Sequence, residues 1–228
     1  MADARRSLGH TLRRIISRNS IQSANERRIV TSFAEKVGLV YFGRVDQYSD
    51  DHHAIRGFTA SPHHEDNHYS VGSFDGYDVS FVQRSEQLDS GDIRKWSIIE
   101  VDLHDDADIP HMVIHAKGHA ESAYGQLFVA SSHLLPIPMG ALNQYDQDFV
   151  QRYSAYTQAS HFIRAEHVID SETARTIAAH FWPLTIEIRD QTLVVYSVGQ
   201  AISQHLLETM LKNALWLAHH IDSHAHVE

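Results

Sequence analysis

The stretch Asp146–Gly199, DQDFVQRYSAYTQASHFIRAEHVIDSETARTIAAHFWPLTIEIRDQTLVVYSVG, has the most regular pattern in the chain and decides the predicted fold. Phe149, Tyr153 and Tyr156 lie in a segment rich in aromatic and β-branched residues, which is typical of a strand leading into a loop. The whole stretch reads as strand, short helix, strand, turn and strand. It carries no catalytic motif, so it indicates an architecture and not a reaction.

The short helix is predicted over residues 171–181. Ser171 is a suitable N-cap, and the carboxylate of Glu172 is favourable at the positive end of the helix dipole. Pro183 ends the helix because proline lacks an N–H and disfavours helical geometry at the residue before it.

Two strands follow this helix. Apolar and polar side chains alternate from Leu184 to Arg189, which predicts a strand with one buried face. Residues 193–198 predict a second strand after a tight turn at Asp190–Gln191. That turn lacks the Asn-Gly or Asp-Gly signal of a two-residue hairpin, so its type stays open.

The SETAR opening of the helix and the run LTIEIRDQTLVVYS (Leu184–Ser197) resemble the C-terminal half of an uncharacterised bacterial family, a domain of unknown function. Its members often carry transmembrane helices ahead of the soluble part. The resemblance extends to Phe33–Gly43, Ser73–Val82 and Trp96–Ile114. It implies a fold and supplies no catalytic residues. The chain departs from the family's commoner pattern, because it contains no transmembrane segment.

Further elements surround this stretch. A helix is expected from Ile21 to Val37, with Gly38 just beyond its end, and a long helix with a broad apolar face runs from about Ile202 to Ile221. Asp75–Gly76 is the clearest hairpin turn in the chain. Strands are predicted at Leu39–Val45, His68–Phe74, Tyr77–Arg84, Ile93–Leu103, Pro110–Lys117 and Gln126–Ala130. Residues 46–67 read mostly as loop, with at most a short strand near Ile55, and Asp105–Asp108 and Leu134–Leu142 read as connections.

Together these elements predict an α+β fold: a largely antiparallel sheet with N-terminal helices, a short crossing helix and a long C-terminal helix. We divide the 228 residues into a basic N-terminal helical segment, 1–37, and an α+β domain, 38–228. No apolar run approaches the roughly 20 residues that cross a bilayer. The absence of cysteine excludes disulfides, thiolate catalysis and cysteine zinc sites and fits a cytoplasmic location.

Charge is distributed unevenly along the chain. Residues 1–30 hold seven arginines against Asp3 and Glu26, a net charge of +5, whereas the whole chain carries −10 and the remainder therefore −15. An acidic body disfavours nucleic acid. The basic segment has apolar residues along one side of a helix, with Arg5, Arg6, Arg13 and Arg14 on the opposite side and flanks. It is suited to an anionic membrane surface, such as the inner face of the cytoplasmic membrane, or to a protein partner. Alternatively, it docks on its own acidic domain.

The long C-terminal helix also has two interpretations. Leu206, Met210 and Leu217 belong to an apolar face so wide that it indicates either deep packing in the protein's own core or a homo-oligomer interface. The second interpretation predicts a self-associating protein.

Nineteen histidines are the chemical anomaly of the sequence. His63, His64, Asp66 and His68 form a local cluster of imidazole and carboxylate groups, which suit a divalent metal such as zinc or manganese. His111 and His115 share a face of a predicted strand but are too far apart for one ion. No known metal-binding motif is present. Surface histidines without a metal, or histidines that respond to pH, are the other interpretations.

The standard enzyme motifs for phosphate, dinucleotide and acyl chemistry are absent from the sequence. We therefore expect a non-enzymatic binding or scaffold module that needs no cofactor. A histidine/carboxylate metal-dependent hydrolase is the alternative from another class.

Overall fold

The computed structural model describes residues 23–44, 64–87, 91–104, 109–118, 133–138 and 144–224, with the backbone alone at His64 and His224. In chain order the elements are α1 (residues 23–37), β1 (Val40–Gly43), β2 (His64–Phe74), β3 (Tyr77–Gln87), β4 (Ile93–Asp102), β5 (Met112–Ala116), β6 (Leu135–Pro136), α2 (Gln147–Arg152), β7 (Tyr153–Thr157), a 3-10 turn (Ala159–His161), α3 (Phe162–Val168), α4 (Ser171–His180), β8 (Thr185–Arg189), β9 (Thr192–Val198) and α5 (Gln204–His224).

The nine described strands form one antiparallel sheet in the order β1-β2-β3-β4-β9-β8-β5-β7-β6. The predicted α+β class, with its long C-terminal helix, is therefore confirmed. Strands β8 and β9 lie at the centre of the sheet, between β4 and β5. Four of the five described helices follow β6 in the chain, and α1 precedes β1.

Two hairpins fix the register of neighbouring strands. Asp75 and Gly76 join β2 to β3 with positive φ angles of 54° and 87°, as the sequence predicted for a turn of the primed type. Asp190 and Gln191 join β8 to β9 with φ angles of 49° and 66°. The second turn therefore has the same left-handed backbone at both positions without a glycine, which is why its sequence signal is weak.

Helices α1, α4 and α5 supply apolar side chains to a core on one face of the sheet. Phe33 of α1, Ile177 of α4 and Met210 and Leu217 of α5 are all buried in this core, and Leu206 packs against its margin. The C-terminal helix thus directs its apolar face at its own sheet. A second copy of the protein would reach Met210 and Leu217 only if α5 left the sheet.

The other face of the sheet is also buried. Val82, Trp96, Ile98 and Tyr196 belong to a second apolar cluster there. A central strand that is covered on both faces has no side that faces solvent. The prediction that β8 is half-buried is therefore wrong. Thr185 and Glu187 are as buried as the isoleucines that alternate with them.

Local structure differs from the predictions at several places, among them β6, which lies within the predicted connection Leu134–Leu142. Asp170, and not Ser171, caps α4, because its Oδ1 accepts a hydrogen bond of 2.7 Å from the backbone N–H of Thr173. Phe149 lies in the short helix α2 and not in a strand. Strand β2 begins at His64, within the segment predicted as loop. The predicted elements at Gln126–Ala130, Asp105–Asp108 and near Ile55 lie outside the described residues.

The N-terminal segment is described from residue 23 onward. Val30, Phe33 and Ala34 place α1 in the core. Arg5, Arg6, Arg13 and Arg14 lie outside the described residues. Within the described ranges, no helix is long and apolar enough to cross a membrane.

Candidate functional site: a cationic cleft at the sheet edge

A cleft of about 400 Å³ lies where α1, β1 and β2 meet. We call it the cationic cleft. Its lining consists of Arg27, Tyr41, Phe42, Gly43, Arg44, Asn67 and His68. The volume is within the range of small-ligand sites, roughly 300–1,000 Å³.

The strand alternation of β1 divides the lining between the two faces of the sheet. Tyr41 packs against the core on the helix side. The ring of Phe42 lies 6.0 Å from that of Tyr69, which packs against the apolar cluster on the other side. Arg27 extends from α1, where its predecessor Glu26 is buried. The cleft therefore straddles the edge of the sheet.

His68 owes its position to a bulge in β2. The register between β2 and β3 shifts between Asn67 and Ser70, and His68 has a φ of 58°, which non-glycine residues rarely adopt. Its Nδ1 lies 2.9 Å from the hydroxyl oxygen of Tyr41. Such strain often marks a functional site.

Neither ring of this pair carries a charge at neutral pH. Burial lowers the pKa of His68, with Lys95 and Arg27 acting in the same direction and Glu26 opposing. Burial raises the pKa of Tyr41, and Arg27 partly offsets the effect. The pair therefore contributes hydrogen bonding without charge.

The two arginines supply the charge of the cleft. Within the described residues Arg27 makes no ion pair, and Arg44 reaches Glu65 at 3.3 Å with side chains 71% and 64% exposed. Exposed pairs of this kind are weak, so the guanidinium of Arg44 is available to a ligand. Guanidinium groups beside neutral donors suit a carboxylate or phosphate. The described lining contains no carboxylate and no serine.

A second polar feature lies on the other face of the sheet. Tyr196 donates a hydrogen bond of 2.5 Å to Glu187 Oε2, and Glu187 Oε1 lies 2.9 Å from His111 Nε2. His111 Nδ1 lies 3.4 Å from Nε2 of the exposed His133. These four residues, which we call the Glu187 chain, link the carboxylate of Glu187 to the protein surface. Glu187 itself is only 1% exposed.

Glu100 lies in the same cross-strand row as Glu187. The row runs Ser80, Glu100, Val194 and Glu187 across β3, β4, β9 and β8. Burial raises the pKa of Glu100 to about 7, while the Ser80 hydroxyl, which donates a hydrogen bond of 3.1 Å, opposes the shift. The carboxyl group thus changes charge near neutral pH. Such shifts occur at functional sites and equally in structural networks.

The predicted metal ligands are divided among different surroundings. Both oxygens of Asp66 accept hydrogen bonds of 2.8 Å from Arg84, and His68 lies in the cationic cleft. His63 and the side chain of His64 lie outside the described residues. Among the described side chains, no three histidine or carboxylate groups are placed to hold a metal ion. The metal site therefore stays a prediction.

Sequence reasoning missed Arg27, Tyr41, Arg44 and Asn67. These residues come from three separate elements, and their local patterns are those of an ordinary helix and two ordinary strands. His68 was singled out because of its histidine neighbours and not because of Tyr41. No local signal predicts the bulge that brings these two residues together.

The fold and the cleft define an α+β protein with an antiparallel sheet and a candidate anion-binding site. A crystal structure with a similar fold is that of the mycobacterial trehalose monomycolate transport factor A, TtfA, with a TM-score of 0.58 and 9% sequence identity over 86% of this chain and 94% of that one. At this identity the likeness shows the fold alone. No protein-family model and no curated protein matches the chain.

Proposed function

We propose that the protein is a non-enzymatic binding module that holds an anionic group in the cationic cleft. The observation that carries this proposal is the combination of two available guanidinium groups, Arg27 and Arg44, with an uncharged Tyr41–His68 pair. Charged donors attract an anion, and neutral donors orient it without adding a titrating charge.

A fold shared with a transport factor agrees with an accessory or binding role. The ligand and the partners of that factor are not carried over at 9% identity. We further propose a cytoplasmic location, peripheral to the membrane, in which Arg5, Arg6, Arg13 and Arg14 add an attraction for anionic surfaces or partners. The acidic remainder of the chain confines this attraction to the basic segment and the cleft.

Binding of simple anions tests the proposal. Inorganic phosphate and succinate are titrated into the full chain at low ionic strength, and backbone amide shifts in α1, β1 and β2 are followed by NMR. We expect saturable shifts at the cleft that Arg27→Gln/Arg44→Gln removes. The matched control is Arg175→Gln/Arg189→Gln, which removes the same charge from exposed arginines elsewhere. Equal binding by both double variants, or no saturable binding by the wild type, would refute the proposal.

A further inference from the structure

We infer that the occupant of the cationic cleft is an extended acidic segment of a partner protein, which pairs with β1 as an additional strand. The inference rests on the proposed function, because it names the class of ligand that the cleft receives. It follows from the edge position of β1 in the described sheet, from the residues of β1 that line the cleft, and from the different chemistry on the two sides of the strand.

Strand β1 is the terminal strand of the described sheet. It pairs with β2, so its other side directs backbone N–H and C=O groups away from the sheet. Val40 and Phe42 on this strand are 58% and 60% exposed. Large apolar side chains beside an open strand edge are a surface on which another strand can pair.

The cleft lies at the C-terminal end of β1 and also borders on β2, because Asn67 and His68 belong to its lining. Tyr41, Phe42 and Gly43 are consecutive residues of β1, Arg44 directly follows them, and all four line the cleft. A ligand that fills the cleft therefore contacts this end of β1. The four residues of β1 span roughly 13 Å, which is the length of an equally short peptide segment.

The two sides of the edge differ in chemistry. Arg27 and Tyr41 lie on the helix side, whereas Val40 and Phe42 point to the other side. Side chains of an added strand alternate between the same two sides. The complementary segment therefore alternates acidic residues, which meet Arg27, with apolar residues, which meet Phe42 and Val40.

Other occupants fit this edge less well. A second copy pairing through its own β1 would bring Arg27 and Arg44 close to the same residues of its partner, and like charges disfavour that arrangement. A small anion would engage the guanidinium groups but leave Val40 and Phe42 exposed. An acidic strand satisfies the charged and the apolar parts of the edge together.

The test uses the full chain and a fluorescent peptide of about nine residues that alternates Glu and Val. Two further peptides carry N-methyl groups on alternate amides, in complementary sets. An added strand directs one set of amides at β1 and the other set at solvent. We expect one methylated peptide to lose affinity about tenfold, a loss of about 1.4 kcal/mol, and the other to bind as the parent does.

Side-chain variants supply the second readout. Arg27→Gln and Phe42→Ser should each weaken the parent peptide several-fold, whereas Arg175→Gln should leave it unchanged. Unaltered thermal unfolding of each variant shows that the fold is retained. Fluorescence anisotropy measures all of these affinities.

The outcomes separate this inference from the proposed function. If phosphate binds at the cleft but both methylated peptides bind as the parent does, or no peptide binds, the strand pairing is wrong and the anion site stands. If neither phosphate nor any peptide binds, both are wrong. Binding of one methylated peptide and not of its complement, lost on Arg27→Gln, supports strand addition.

Discussion

Arg84 on β3 and Asp66 on β2 form a two-point ion pair inside the protein. Nε and one terminal nitrogen of Arg84 each donate a hydrogen bond of 2.8 Å to an oxygen of Asp66, and the two side chains are 0% and 1% exposed. Asp66 lies two residues before His68, so the pair holds β2 against β3 immediately before the bulge. The ion pair therefore supports one wall of the cationic cleft.

Removing one partner of this pair should be costly. Asp66→Leu leaves the guanidinium of Arg84 buried without its carboxylate, and we expect the free energy of unfolding to fall by about 3–5 kcal/mol. Arg84→Met should lower the free energy of unfolding by a similar amount, because the buried carboxylate of Asp66 then loses the guanidinium of Arg84. The double variant should cost much less than the sum, because no uncompensated charge remains. Urea denaturation measures all three.

If the stability losses of the two single variants add up in the double variant, Asp66 and Arg84 are not energetically coupled. The same Asp66 variant also tests the predicted metal site. Elemental analysis of untagged protein, purified without chelators, should show equal metal content in the wild type and in Asp66→Leu if the carboxylate holds no metal ion. A stoichiometric metal that is lost in the variant would support the metal prediction.

The raised pKa of Glu100 makes stability depend on pH. In the unfolded chain this carboxyl has a pKa of about 4.5, and in the fold about 7. Between these values the folded state retains a proton that the unfolded state has lost, so the contribution of Glu100 to stability decreases as pH rises through this window. The total decrease is on the order of 3 kcal/mol.

Glu100→Gln should remove this dependence, because the amide stays neutral and still accepts from Ser80. The variant is expected to gain stability relative to the wild type between pH 4.5 and 7, with a constant difference above pH 7.5. Chemical denaturation across that range measures the difference. Glu35→Gln, an exposed change on α1, is the matched control for the loss of one carboxylate. If the stability difference between Glu100→Gln and the wild type does not change with pH, the wild-type carboxyl does not retain its proton in the fold.

The positive φ angles of the two turns predict that glycine is favourable at both positions. Gln191 has a φ of 66°, so Gln191→Gly relieves left-handed strain and should stabilise the protein by about 0.5–1 kcal/mol. Gly76 has a φ of 87° and open space where a Cβ would lie, so Gly76→Ala should destabilise it by about 1 kcal/mol through the backbone alone. Thermal unfolding compares both. A loss of stability in Gln191→Gly would show that the Gln191 side chain matters more than its φ angle.

The packing of α5 predicts which of its residues affect stability. Leu217 is 1% exposed, and Leu217→Ala should lower the free energy of unfolding by about 2–5 kcal/mol. Leu206 is partly buried at the core margin, so Leu206→Ala should lower the free energy of unfolding clearly less. Light scattering should give the same mass for both variants as for the wild type. A reduced mass with unchanged stability would instead support the self-association predicted from this helix.

The elements themselves were largely predictable from local patterns. Alternation identified β8 as a strand, the Asp75–Gly76 turn fixed a hairpin, and helical spacing identified α4 and α5. Each of these signals depends on residues close together in the chain. Boundaries were less certain, as the cap at Asp170 shows, because Asp and Ser both accept the same hydrogen bond.

The candidate site could not be predicted in the same way. Nothing local distinguishes Arg27 or Arg44 from other exposed arginines, and the bulge that turns His68 toward Tyr41 depends on how β2 pairs with β3. Glu187 alternates with isoleucines as a solvent-facing residue would, yet it is buried. Its environment depends on strands far away in sequence.

By itself, the sequence determined most of the strands and the two longest helices, where two hairpins turn, and that the chain carries no cysteine chemistry. The tertiary structure alone decided that β9 pairs with β4, that β5 lies between β8 and β7, and that β1 is the terminal strand among the described residues. Hydrophobic period and turn chemistry act over a few residues, whereas pairing between distant strands depends on the packing of the whole core. The open edge and its arginines follow from that pairing.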